Sequence, residues 1–352
     1  MRIDAVILGA SGYGGGELLY WLSRHPDVHS VRGTSRTLHG KPFSSVHPNL
    51  HSVIEGQFES EIDWQELARS EQPVVFSALP HGELAGRLRE LESAWSRAGI
   101  AGRIVLVDLS ADFRVPNPRV FQQLNGFEHP CAELLPEFVY GLPEWNSAAI
   151  KGAKRIASPG CFATALQLAL LPLRGLQIDF FAASAVTGSS GSGTSPTFAT
   201  HHPTRANDFR AYKILTHHHT AEVRMAMAAC NIGGTLGFVP HSGPFVRGIF
   251  ATLQFGNGNA LSPSTLHARV ASAFDDCPFV RIVEGSPGVA AVAGTNFADV
   301  SVAANENTSV IMVALDNLGK GMAGQAVQAM NIALRIPETT ALWQPARFPS
   351  VL

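Results

Sequence analysis

Cys161 stands where a thiol can be made reactive. Ser158-Pro159-Gly160 breaks the chain just before an apolar, helix-forming run from Phe162 to Leu168, so Cys161 is expected at or next to a helix N-terminus. There the helix dipole and unpaired N–H groups favour thiolate over thiol, and the same N–H groups can hold an oxyanion formed on an attacked carbonyl. Cys131, Cys230 and Cys277 lack that setting and read as inert core residues. Residues 201–223 gather His201, His202, His217, His218 and His219 with Arg205, Arg210 and Lys213, against only Asp208 and Glu222. A phosphorylated, carboxylate-bearing substrate needs such a local field. An imidazole near the sulfur could shuttle protons, since histidine titrates near neutrality, and Glu222 could orient it. No cysteine or further carboxylate falls at ligand spacing with these histidines, so no metal is expected.

A second chemical feature opens the chain. Gly9-Ala10-Ser11-Gly12-Tyr13-Gly14 joins the strand-like Ala5-Val6-Ile7-Leu8 to a helical pattern from Glu17 to Leu22. Glycines there permit a tight turn and let a pyrophosphate approach backbone N–H groups at a helix N-terminus. The spacing G-x-x-G-x-x-G is a variant of the dinucleotide fingerprint. An NAD site would place an acid about 20 residues further on. This chain has Val31-Arg32-Gly33-Thr34-Ser35-Arg36-Thr37 instead. Thr34, Ser35 and Arg36 suit a 2′-phosphate, which Arg can bind through charge-assisted bonds, so NADP(H) is expected.

These residues need a frame to hold them. The chain has 352 residues, 45% hydrophobic and 15% charged, with net charge −2. That predicts two globular domains and gives no global basic field for nucleic acid. The N-terminal apolar run is too short for a signal peptide, and no stretch is long enough for a membrane helix. Four cysteines without a C-x-x-C pair fit a reducing cytoplasm. Apolar runs at Val28–Arg32, Pro73–Leu79 and Arg103–Asp108, with a helical segment Glu83–Arg97, predict a Rossmann-type, doubly wound parallel sheet of the α/β class. After Cys161 the texture changes. Phe180–Val186, Gly248–Phe255 and Asn296–Val302 predict a mixed sheet in an α+β catalytic domain. The expected division is 1–158 for cofactor and 159–319 for catalysis and oligomerisation. A C-terminal helical region, about 320–352 with its strongest pattern at Gly324–Leu334, is expected to return to the first domain.

Seven ordered stretches make the sequence similar to the N-acetyl-γ-glutamyl-phosphate reductase family. They are Gly9–Tyr13, Ala78–Gly82, Asp108–Arg114, Tyr140–Glu144, Pro159–Cys161, His217–Glu222 and Asp316–Gly321. The resemblance covers nearly the whole chain. It implies that Cys161 attacks an acyl phosphate, expels phosphate and, with NADPH, gives an aldehyde. It implies His219 as acid/base, with His217 as the second candidate, and cofactor contacts at Pro80, His81, Gly82 and Asn317. Arg114, Ser189, Arg210, Tyr212 and Lys213 are then expected to contact substrate, and a homo-oligomer, dimer or tetramer, is expected. Ala221 replaces the family's usual proline, and His218 its usual basic residue. With His201-His202-Pro203 and Gly294–Asp299 they resemble a sister branch whose acyl phosphates ride on a small acidic amino-group carrier protein. Two readings of other kinds are a non-catalytic NADP-binding redox sensor and a dehydrogenase of the aspartate-semialdehyde or glyceraldehyde-phosphate type; Asp108–Arg114 and His217–Glu222 fit the latter poorly.

Overall fold

The structure is a computed structural model and describes residues 1–256 and 261–347. The chain divides into two units, Met1–Pro159 with Met322–Leu342, and Gly160–Gly321 with Trp343 and the described residues after it. The C-terminal piece grouped with the first unit therefore ends at Leu342, and residues 348–352 of the expected C-terminal region lie outside the described residues.

In the first unit, strands β1 (Ile3–Leu8), β2 (Val28–Thr34), β3 (Phe58–Glu59), β4 (Gln72–Ser77), β5 (Val105–Asp108), β6 (Val139–Tyr140) and β7 (Arg155–Ala157) form one parallel sheet. Their order is β3-β2-β1-β4-β5-β7-β6. Continuous apolar runs such as Ala5–Leu8 suit strands covered on both faces. The Glu83–Arg97 helix puts Leu84, Leu88, Leu91 and Trp95 on its buried side, at helical spacing. The Gly324–Ala333 helix is buried along its whole length and packs on β5 and on the Tyr13–Leu22 and Pro143–Ile150 helices. Two of its polar side chains are paired within the unit: Asn331 bonds His25 at 2.9 Å and Gln328 donates to Glu338 at 2.7 Å. The strand order reverses between β1 and β4, which opens a crevice at their carboxyl ends, beside Gly9 and Ala78.

In the second unit, β8 (Gln177–Thr187), β9 (Arg210–Ala211), β10 (Gly233–Ser242), β11 (Ile249–Gly256), β12 (Val280–Ile282), β13 (Ala298–Ala304) and β14 (Thr308–Leu315) form a mixed sheet, ordered β12-β13-β14-β11-β8-β10-β9. The Cys161–Leu170 helix packs on β11 and β14. β8 alternates strictly on its far half, with Phe181, Ala183 and Ala185 buried and Phe180, Ala182 and Ser184 exposed. One sheet face thus carries the helices. The other presents Ser184, Thr252 and Met312 in one cross-strand row and Ala182, Gln254 and Val310 in the next.

Candidate active site

The glycine turn is shaped by contacts that exclude side chains. Gly9 has φ 79, and a Cβ there would come 2.9 Å from the Ala78 carbonyl oxygen; one on Gly15 would meet the Ala10 backbone at 2.4 Å. A Cβ on Gly14 would meet Met322 Sδ at 2.8 Å, whereas Gly12 has open space around it. Ala10, Ser11 and Gly12 lead into the Tyr13–Leu22 helix, whose first-turn N–H groups lack intrahelical acceptors. A pyrophosphate fits this cradle. His47, which sequence reasoning missed, braces it: Nε2 donates to the Ala10 carbonyl at 2.9 Å, and Gly16 makes room for the ring.

Beyond β2 the three expected 2′-phosphate residues take different positions. Thr34 Oγ1 accepts the Gly9 N–H at 3.2 Å, so its hydroxyl supports the turn. Ser35 donates to the Ser11 hydroxyl at 3.2 Å. Arg36 extends into solvent, its side chain 76% exposed, and pairs with Glu83 at 2.8 Å. The Pro80-His81-Gly82 loop follows β4 at the crevice. His81 Nδ1 accepts the Ala111 N–H at 3.0 Å, and Gly82 adopts φ 85.

The Asp108–Arg114 segment proves to be a brace within the first unit. Asp112 accepts from the Gly82 and Ala85 N–H groups at 2.6 and 3.0 Å, capping the Glu83–Arg97 helix. Asp108 is fully buried and accepts from the Ser110 N–H and hydroxyl. Burial, then the nearby Asp112 charge, raises its carboxyl to about 7. Arg114 is buried; Nε donates to the Ser158 carbonyl and Nη2 to the Leu109 carbonyl, both at 2.7 Å. It thereby fixes the chain just ahead of Pro159.

In the second unit Cys161 is the first residue of the Cys161–Leu170 helix, with Gly160 as its N-cap, and is partly exposed. Cys131 and Cys230 are buried, whereas Cys277, expected in the core, is partly exposed; burial raises the Cys131 thiol to about 11. The Gly160 N–H donates to Glu222 Oε2 at 3.0 Å, and Gln167 Nε2 donates to the Glu222 carbonyl at 3.1 Å. Glu222 thus ties the nucleophile's helix to the His219–Ala229 helix. A Cβ on Gly160 would lie 2.2 Å from His219 Nε2, so this imidazole packs against the residue preceding the sulfur. The sequence marked Gly160 only as a chain break before Cys161; its contacts with Glu222 and His219 come from the fold.

His217 lies against the rings of Phe162, Phe238 and Tyr212, with centroids 5.4 to 5.8 Å away. Burial in this aromatic setting, and then the Lys213 charge, lower it to about 4, so the ring is neutral at pH 7. The His219 N–H donates to His217 Nδ1 at 3.2 Å, which leaves the His217 ring proton on Nε2. The imidazole nitrogens of His217, His218 and His219 lie within 4.8 Å of one another, with no carboxylate or thiol in the group. Lys213 and Leu215, at φ 43 and 59, hold left-handed conformations in the loop that leads to them. The Tyr212 phenol is raised well above its usual value by burial and then by the Cys161 sulfur nearby. Arg210 pairs with Asp208 at 2.8 Å and donates to the Ala199 carbonyl.

Asp316–Gly321 forms a knot beneath the nucleophile. Asp316, fully buried, accepts from Arg247 Nε, Gly294, Leu318 and Gly319 at 2.5 to 2.8 Å. A Cβ on Gly321 would come 2.7 Å from Cys161 Cβ. Asn317 accepts the Gly248 N–H at 2.6 Å and donates to Ser190 Oγ at 3.0 Å. Ser189 follows the end of β8, its N–H donating to the Phe245 carbonyl.

A doubly wound parallel sheet, joined in one chain to a mixed-sheet unit with a cysteine at a helix start beside histidine, defines an oxidoreductase of the semialdehyde dehydrogenase class. Two family models match: the semialdehyde dehydrogenase NAD binding domain over residues 4–153 and the semialdehyde dehydrogenase dimerisation domain over residues 161–317. The N-acetyl-gamma-glutamyl-phosphate reductase of Methanopyrus kandleri is 39% identical, covering 97% of this chain and 98% of its own. The [LysW]-L-2-aminoadipate/[LysW]-L-glutamate phosphate reductase of Saccharolobus solfataricus is 37% identical over 97% of each chain. The aspartate semialdehyde dehydrogenase II of Vibrio cholerae, complexed with ASA, shares the fold with a TM-score of 0.69 at 17% identity, covering 95% of this chain and 99% of that one. The chain belongs to the N-acetyl-γ-glutamyl-phosphate reductase family. Among the described residues no helix is long and apolar enough to cross a membrane.

Proposed function

We propose that this protein reduces N-acetyl-L-glutamyl 5-phosphate to the 5-semialdehyde, with NADPH as reductant and Cys161 as covalent nucleophile. The observation that carries the reading is the Gly160–Cys161 helix start, with Glu222 on the Gly160 N–H and His219 against its Cα. The thiolate adds to the acyl carbon, the carbon–oxygen bond to phosphate breaks, and a thioester remains. N–H groups of the first helical turn receive the oxyanion during addition. His219 supplies a proton to the departing phosphate oxygen and later accepts one, because its Nε2 faces the backbone beside the sulfur. His217, neutral at pH 7, orients the substrate as an Nε2–H donor.

Ala10 to Tyr13 would hold the pyrophosphate, and Ser11, Ser35 and Arg36 the 2′-phosphate. NADPH supplies the hydride that takes the thioester to the aldehyde level. The second unit pairs with a second copy through its uncovered sheet face, in keeping with the dimerisation-domain match. A soluble enzyme of the cytoplasm is the setting this chemistry suits. The carrier-bound acyl phosphate is the second reading, favoured by Ala221, His218 and the Saccharolobus solfataricus relative.

The test runs the reaction backwards, with N-acetylglutamate semialdehyde, phosphate and NADP⁺, following NADPH absorbance. The expected result is turnover that is lost in Cys161→Ser and is much slower with NAD⁺. Turnover in the serine variant would refute covalent catalysis. Activity confined to carrier-bound semialdehyde would transfer the assignment to the second reading.

A further inference from the structure

Arg205 is a buried guanidinium with no carboxylate in contact with it, Asp208 acting on its charge only weakly and without an ion pair. The residue is 9% exposed and closes the short His202–Arg205 helix. Nη1 donates to the Ser242 hydroxyl and Nη2 to the Gly243 carbonyl, at 3.0 Å for the latter. Nε is buried and has no hydrogen-bond partner. Asp208, the acid nearest in sequence, is engaged by Arg210 at 2.8 Å. Among the described residues no carboxylate lies at ion-pair distance from Arg205. A cation withdrawn from water without a counter-charge is costly and is retained where an anion completes it.

The surroundings indicate which anion. Arg205 and Arg210 are close enough for their charges to repel, but Arg210 has Asp208 as its own partner, which leaves Arg205 as the cation without an ion pair. Tyr212 lies within electrostatic reach of both Arg205 and the Cys161 sulfur, and its ring also meets His217. Arg205 reaches the same neighbourhood through Ser242, which pairs with β9 one step from Tyr212. In an acyl phosphate the phosphate is bonded to the acyl carbon and must lie beside the sulfur. The α-carboxylate is at the other end of the acyl chain. Burial also favours a small anionic group over the surface of a macromolecule.

We propose that Arg205 is the specificity residue for the substrate's α-carboxylate, binding it through charge-assisted hydrogen bonds in the second unit. The inference rests on the acyl-phosphate reading above and names the part of the substrate this cation holds. It applies equally to a free and to a carrier-linked acyl group, since both keep that carboxylate.

The experiment uses Arg205→Gln and Arg205→Lys in the reverse reaction, where semialdehyde and phosphate are separate substrates. The glutamine variant is expected to raise KM for the semialdehyde roughly 10- to 100-fold, the loss of a charge-assisted bond. KM for phosphate and kcat should stay within about threefold, and lysine should restore part of the loss. The α-carboxamide of the semialdehyde should show no penalty from the substitution. A rise in KM for phosphate instead would place the leaving group at Arg205 and overturn the proposal. Equal losses for acid and amide would reduce Arg205 to a brace for Ser242 and Gly243. Calorimetric titration of the semialdehyde and its carboxamide, without cofactor, reads the same discrimination when turnover is absent. Failure of the catalytic reading therefore leaves this test intact.

Discussion

A single hydrogen atom in place of a methyl group decides the geometry at Gly160. Its N–H is held by Glu222, and its Cα hydrogen faces His219 Nε2, where a Cβ would come within 2.2 Å. Gly160→Ala must displace either the imidazole or the helix start. Its φ of −70 is open to alanine, so the clash is with the side chain and not with the backbone conformation. The expected outcome is a fall in kcat of roughly 100-fold or more, the scale of losing a positioned acid/base group, with melting temperature near that of the parent. Thiol labelling of Cys161 should slow as well. Unchanged turnover would separate His219 from the chemistry. Cys161 was legible in the sequence because Pro159, Gly160 and the apolar run announce a helix start. The roles of Gly160, His47 and Arg205 were not. Each depends on a partner more than 30 residues away, and such pairings are created by the fold.

Elements written in strong apolar periodicity were equally legible, among them the Glu83–Arg97 helix and β4. β10 was not. Gly233-Gly234-Thr235-Leu236-Gly237-Phe238-Val239-Pro240 is rich in residues depleted from strands, and Pro240 has no N–H to give to a neighbour. It forms because β8 pairs with it in parallel and β9 closes its other edge, pairings that local sequence does not reveal. The same sheet presents the Ser184–Thr252–Met312 row on the side away from its helices, Ser184 exposed and Thr252 and Met312 half-buried. A sheet face bearing Phe180, Val239, Phe250 and Met312 is the surface proposed above for pairing with a second copy, in keeping with the dimerisation-domain match. Met312→Glu is therefore expected to shift the protein from dimer to monomer in sedimentation, since a buried charge without a partner is strongly unfavourable at an interface. A dimer of undiminished affinity would exclude this face.

At the scale of the whole molecule, the two units should respond to pH in opposite directions. In the first, Asp108 is raised to about 7 by burial and by Asp112. The folded unit holds a proton that the unfolded chain releases near pH 3.8, so this stability is complete at low pH and is lost as pH rises toward 7. In the second, His217 is lowered to about 4 by burial and by Lys213. The unfolded chain takes a proton near pH 6.5 that the folded unit refuses, so stability is complete above that value and is lost as pH falls toward 4. Each contribution has a limiting slope of about 1.4 kcal/mol per pH unit. Peptide-resolved hydrogen exchange, corrected for intrinsic rates, can follow Leu106–Asp108 and the Cys161–Leu170 helix separately between pH 4.5 and 6.5. Protection should decrease with rising pH in the strand and increase in the helix. Asp108→Asn should flatten only the first trend and His217→Asn only the second, whatever each does to overall stability. Parallel trends in both segments, unaltered by either substitution, would show that neither burial governs its unit's response.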